Sequence, residues 1–168
     1  MTRFSKASDV EDTAKATRER RDADGSEESL CAVKSGAAAC RQFFMPMIPP
    51  TVTAQMHKVT VKNGKPLFYD PPEVVTARSI LQSHLAKFRP EKPFGAGVRL
   101  IVKWLFPKGK HKDGEYRTTR PDTDNLQKLL KDCMTVLNFW DDDALVASEI
   151  VEKFWAKIPG IWIRIEEL

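Results

Sequence analysis

From Val98 to Phe106 the chain alternates strictly. Val98, Leu100, Val102, Trp104 and Phe106 share one parity, and Arg99, Ile101, Lys103 and Leu105 share the other. Period two predicts a strand. A different spacing governs Val74, Ala77, Leu81, Leu85 and Phe88, which recur as on one face of a helix and stop at Arg89-Pro90. Asp70-Pro71-Pro72-Glu73 supplies that helix's start, with Asp70 as cap, proline in the first turn and Glu73 three residues after the cap. A second helix is predicted over Asn125–Asn138, with Leu126, Leu129, Leu130, Cys133 and Leu137 as its apolar face. Arg41–Pro50 reads as a first strand whose prolines mark an edge position or its end. Leu145–Trp155 and Ile161–Glu167 are two further strands joined by a Pro159-Gly160 turn.

Between these elements, Thr51–Pro66 is a loop or short hairpin with Asn63-Gly64 as its turn. Pro107–Thr119 is a basic loop punctuated by glycine. The order β-(loop)-α-β-α-β-β predicts an α+β fold, a small mixed sheet with two main helices packed on it. Residues 1–40 stand apart. Phe4 is their sole aromatic, and so polar a segment buries too little apolar surface to offset its ordering entropy. The expected division is therefore a disordered, dispensable tail over 1–40 and a single domain over 41–168.

Charge sharpens this division. The 168 residues carry a net +4. Residues 41–168 hold 20 Lys/Arg against 15 Asp/Glu, with basic residues concentrated over Lys103–Arg120. That balance favours an anionic partner, against the plainer alternative of a solvated basic surface. The cysteines Cys31, Cys40 and Cys133 form no CxxC pair, and His57, His84 and His111 show no HExxH spacing, so neither a disulfide framework nor a zinc site is expected. Cys133 reads as core, and His84 as a surface or packing residue. Ser35–Cys40 lacks the apolar stretch that a lipoprotein signal needs, and no run is long and apolar enough to cross a membrane. A cytoplasmic protein with no membrane partner is expected.

The candidate chemistry lies in Arg120-Pro121-Asp122-Thr123-Asp124-Asn125-Leu126-Gln127-Lys128 and in Asp141-Asp142-Asp143. Asp122 and Asp124, alternate residues entering a helix, point the same way toward one hard cation. Helix capping by Asp124 is the simpler explanation, but it accounts for one aspartate and not for the pair plus Lys128. Lys128 is placed to orient a phosphate or stabilise developing charge. Asp124, Lys128 and Asp132 follow at offsets of four, which ordinary ion pairs also explain. Three adjacent carboxylates at 141–143 repel one another, which a cation relieves and a solvated turn tolerates. Two cations about 3.5–4 Å apart can drive in-line phosphodiester hydrolysis without a Ser or Cys nucleophile. GxSxG, P-loop and GxGxxG motifs are absent, and Gly95-Ala96-Gly97 reads as a bend entering a strand. Lys108, Lys110, Lys112, Arg117 and Arg120 are candidates for a phosphate-backbone clamp. Tyr116 is a candidate for base stacking, whereas Trp155 and Trp162 are expected to pack in the sheet.

These residues, together with Phe139-Trp140, Asp142-Asp143-Ala144 and Lys153, resemble the RusA family of Holliday-junction resolvases over about residues 41–168. The resemblance implies that Asp122, Asp124 and Asp143 are the principal metal ligands and Asp142 an accessory. It implies that Lys128 is the catalytic lysine and places Lys153 with the DNA-binding set. It further implies an Mg²⁺-dependent homodimer, with Mn²⁺ a substitute and no organic cofactor, that makes paired symmetric nicks in four-way DNA junctions during recombination and repair. Asp141 is an extra acid, and the 108–117 loop carries few arginines for the family. Two other classes compete: a branched-DNA-binding architectural protein that does not cut, and a metal-dependent nucleotide phosphohydrolase. Salt dependence separates them, since many phosphate contacts make affinity fall steeply with salt.

Overall fold

The computed structural model describes residues 39–52, 58–62 and 65–168. The tail, most of it within 1–38, and the Asn63-Gly64 turn lie outside the described residues. Strand β1 (Cys40–Pro46) is followed by β2 (Lys58–Lys62) and β3 (Lys65–Tyr69), then helix α1 (Pro72–Leu85) with a 3-10 turn over Ala86–Phe88. Next come β4 (Val98–Pro107), the two-residue β5 (Glu115–Tyr116), α2 (Thr123–Val136), a 3-10 turn over Asp143–Leu145, β6 (Val146–Ala156) and β7 (Gly160–Glu167). Five strands form one mixed sheet in the order β1-β7-β4-β6-β5, and β2 and β3 pair separately as a hairpin. The fold is the expected α+β arrangement with two main helices.

Alternation in β4 produces the core as foreseen. Val98, Leu100, Val102, Trp104 and Phe106 are buried on one face, joined by Ile161, Ile163 and Ile165 of β7 and by Phe43 and Met45 of β1. From the helices, Leu81 and Leu85 of α1 and Leu126, Leu129, Leu130, Cys133 and Met134 of α2 close this core. Burial pushes the Cys133 thiol up to about 12, so it stays protonated and acts as a small apolar residue. Gly160 has a packing reason of its own: a Cβ there would meet the Phe44 ring at 2.2 Å and the Met45 carbonyl oxygen at 2.6 Å.

Some boundaries differ from expectation, for identifiable reasons. Strand β1 stops at Pro46, where proline cannot donate to a ladder, and it does occupy a sheet edge. The hairpin runs on to Tyr69. Asp70 does not cap α1. Pro71 holds the cap position without a side-chain bond, and Asp70 Oδ2 instead pairs with Arg78 Nη1 at 2.6 Å. Strand β5 was not foreseen, because two residues carry no period. Helix α2 begins at Thr123 with Asp122 as its N-cap residue, and Asp122 makes no capping side-chain bond.

The parallel pairing of β4 with β6 matters most for function. Val98 lies opposite Val146, and Trp104 lies opposite Lys153. Parallel neighbours require a crossover, and α2 is that crossover. It therefore starts beside the end of β4 and finishes beside the start of β6.

Candidate active site

The segment entering α2 is held from outside by two cations. Lys153 Nζ, on β6, donates to the carbonyl oxygens of Thr119 at 3.0 Å and Pro121 at 2.6 Å. Arg117 Nε donates to Thr119 Oγ1 at 3.1 Å, and its Nη2 donates to the Arg120 carbonyl. The Arg117 guanidinium also lies 3.9 Å from the centre of the buried Phe106 ring and 4.7 Å from that of Trp155. Burial lowers the pKa of both side chains. For Lys153 the neighbouring Arg117 lowers it further, while Asp122 opposes the shift. Arg117 and Lys153 thus direct these donors at the segment entering α2 rather than at a phosphate backbone, the role expected of them.

What this scaffold presents is polar and accessible. Asp122, Asp124 and Lys128 are exposed, while Leu126, Gln127, Leu129 and Leu130 of the same helix are buried. The amphipathic period of α2 thus keeps its core face away from the chemistry. No ion pair joins Lys128 to Asp124 or Asp132 among the described residues, so the stripe of offset-four charges is not a chain of salt bridges. The neighbouring Lys131 pairs with Glu149 of β6 at 2.9 Å instead.

The basic loop is more ordered than its composition suggests. Lys108 N donates to the Ala156 carbonyl, Gly114 N to that of Trp155, and Arg117 N to that of Lys153. The His111 ring stacks on Trp155 with centroids 4.4 Å apart, and Glu115 accepts from Lys112 N at 3.0 Å. Lys110, Lys112 and Arg120 are left exposed, with Lys108 half-buried beside them. Tyr116 leans on Phe154 and donates its hydroxyl to Glu152 at 3.0 Å, on the sheet face away from the core. Trp155 and Trp162 have packing roles, Trp162 lying under Lys103 at 5.5 Å.

Asp142 and Asp143 lie elsewhere. Asp142 Oδ1 accepts from Ala144 N at 2.8 Å and so caps the 3-10 turn that opens β6. The turn follows the buried Phe139 and Trp140, whose Nε1 donates to Thr135 Oγ1 at 2.8 Å near the end of α2. Leu145 O lies 4.0 Å from where a Cβ on Gly97 would stand, just ahead of β4. Asp122 and Asp124 mark the start of α2, and Asp142 and Asp143 follow its end. Among the described residues no three His, Cys, Asp or Glu side chains are grouped closely enough to hold a metal. The expected gathering of Asp122, Asp124 and Asp143 is therefore absent within one chain, because the crossover separates them.

The donor chemistry does fit a hard divalent cation at the first of these places. Asp122 and Asp124 offer exposed carboxylate oxygens two residues apart, with no capping bond drawing on Asp122. Sequence reasoning missed the positioning roles of Lys153 and Arg117. Their signal, a cation on each segment flanking the aspartate motif, does not distinguish an inward from an outward side chain.

Comparison with known proteins completes the identification. The chain is 34% identical over 119 residues to the crossover junction endodeoxyribonuclease RusA of Lactococcus phage r1t, covering 69% of this chain and 89% of that protein. It is 29% identical over 121 residues to the uncharacterised protein YqaN of Bacillus subtilis (strain 168), covering 65% and 84%. The family model described as endodeoxyribonuclease RusA matches residues 48–166, which include every candidate discussed above. The chain belongs to the RusA family of endodeoxyribonucleases.

Proposed function

We propose that this endodeoxyribonuclease resolves four-way DNA junctions with Mg²⁺, or Mn²⁺ in its place, acting as a homodimer that makes paired symmetric nicks. The observation that carries the reading is the start of α2, where Asp122, Asp124 and Lys128 are exposed on a buttressed scaffold whose opposite face is core. Its likeness to the phage enzyme named for crossover junctions gives the substrate class.

A bound divalent cation supplies Lewis acidity and a water of lowered pKa. Asp122 and Asp124 are the side chains that would hold it. The ammonium of Lys128, one turn along the helix, faces the same side and offsets charge gathering on the scissile phosphate. Lys110, Lys112 and Arg120 provide exposed cations for flanking phosphates, with the half-buried Lys108 beside them. Lys153 and Arg117 act on the protein itself by fixing the backbone from which Asp122 projects.

The test is cleavage of a labelled synthetic junction beside linear duplex and single strand, with Mg²⁺ and with EDTA. Paired nicks on the junction alone, lost in EDTA, are expected. Asp124→Asn should bind the junction normally and cut at least about 10²-fold more slowly, as expected for loss of a group acting mainly in the transition state. Tight binding by the wild type without cutting in Mg²⁺ or Mn²⁺ would return the architectural alternative.

A further inference from the structure

We infer that the outer face of the five-stranded sheet is a docking surface for the segment ahead of β1, with residues 27–33 seated on it. The two faces of this sheet differ in what covers them. On the inner face, Leu81 and Leu85 of α1 and Leu126 and Leu130 of α2 close over the core side of β4. Strand register fixes what points the other way. Phe44 of β1 stands opposite Trp162 of β7, which stands opposite Lys103 of β4. Ile101 and Leu105 of β4 are level with Ile150 and Phe154 of β6. Alternate residues share a face, so these large apolar side chains form one outer surface. Among the described residues no helix lies over it, and Ile150 is 45% exposed. A continuous apolar surface of this kind, set among charges, marks an interaction site.

The charges narrow the choice of occupant. Arg99 and Arg164 both pair with Glu166, and Lys103 pairs with Glu152 at 3.6 Å. Three cations meet two carboxylates, which leaves the surface an excess of positive charge. It therefore fits a short apolar stretch accompanied by negative charge.

Residues 27–33 meet that description, and the chain enters at the right place. The Ala39 carbonyl accepts from Glu167 N at 2.8 Å, which continues the edge ladder. Cys40 stands opposite Glu166, and so on the outer face, at a corner of the surface. Between Cys40 and Val33 lie six residues, five of them the small Ser35-Gly36-Ala37-Ala38-Ala39. Six extended residues reach about 20 Å. From Cys40 to Ile101 is two strand spacings across and two residues along, about 12 Å, and Ile150 is one strand further, at about 16 Å. The run Leu30-Cys31-Ala32-Val33 thus reaches both isoleucines. Ahead of it stand Asp22, Asp24, Glu27 and Glu28, with no Lys or Arg over 22–33, as the excess of Arg99, Lys103 and Arg164 requires. A segment too polar to fold by itself can still order on a preformed apolar surface, which supplies the area that the segment lacks. The expectation of a dispensable tail then extends to residues 1–26 at most.

The test is limited trypsin digestion of the full-length protein, with cutting after Lys34 followed by mass spectrometry. A synthetic peptide spanning residues 27–38 gives the unprotected rate. The bond in the protein should be cut at least about tenfold more slowly, since cleavage follows the undocked population. Ile150→Asp, which alters the surface and not the segment, should bring that rate close to the peptide's. So should Leu30→Ser combined with Val33→Ser, measured against a peptide carrying the same changes. Neither variant should alter cutting after Arg18. Far-UV circular dichroism checks that each variant is folded, and the Leu30–Val33 pair carries the test should Ile150→Asp fold poorly. Wild-type cutting after Lys34 at the peptide's rate overturns the inference. So does undiminished protection in folded Ile150→Asp or in the Leu30–Val33 variant. If Ile150→Asp instead lowers the sedimenting mass and leaves cutting after Lys34 unchanged, a second copy of the chain covers the surface, and the segment does not.

Discussion

The two ends of α2 present acidic residues by opposite means. At the start, Asp122 sits on a segment without regular structure whose carbonyls are gripped by Lys153 and Arg117 from outside. Beyond the finish, Asp142 caps its own turn, and the approach is anchored by buried aromatic rings. One place depends on distant partners and the other on itself. Geometry at the start should therefore fail through substitutions far along the chain, and geometry at the finish only through local ones.

The sharpest way to break this contrast is Lys153→Met. With both carbonyls released, Asp122 loses its fixed position, and misplacement of about 1 Å in a reacting group costs on the order of 10²-fold in rate. Single-turnover cleavage should fall by that factor while junction affinity holds, and Lys153→Arg should recover much of the loss. A weaker junction affinity with a shallower salt dependence would make Lys153 a phosphate contact instead.

Asp142→Ala probes the other end. It removes the acceptor for Ala144 N and should cost about 1 kcal/mol, or about 2–4 °C in Tm by calorimetry. Asp142→Asn keeps an acceptor oxygen and should retain the wild-type Tm. An equal loss in both variants would mean that charge, rather than the cap, holds the turn.

The smallest effect concerns the basic loop beside the start of α2. The Lys112 amide, and then His111, hold Glu115 below its ordinary value of 4.5. A carboxyl depressed on folding supports the loop fully above that ordinary value, and the support is lost as pH falls through the folded value. Protection of the Lys112 amide against exchange, relative to its intrinsic rate at each pH, should fall across that acid range in the wild type. Glu115→Gln should show no such step.

Much of the scaffold was legible in the sequence because burial imposes a period. Val98–Phe106 and Leu126–Met134 each turn one face to the same core, and periods of two and of 3.6 record this. Asp70 misled because a capping signature names residue types, whereas the partner that won, Arg78, lay two turns into the helix. Strand β5 is too short to carry any period. The inward turn of Arg117 and Lys153 depends on Phe106, Trp155 and the Thr119–Pro121 carbonyls meeting in space, and no spacing along the chain encodes that meeting. Separation of the two aspartate groups was within reach, however. A strand, a helix and another strand in one sheet place the helix's start and the next strand's start at opposite ends whenever the strands are parallel.

The length of α2 sets a distance on the protein. Fourteen residues at about 1.5 Å each make a rod about 21 Å long. The helix is a spacer that holds the carboxylates at its start apart from those of the 142–143 turn. Inserting one helical turn would move these two negative places apart by about 5.4 Å, so the residue count of α2, rather than any one side chain, fixes the spacing between them.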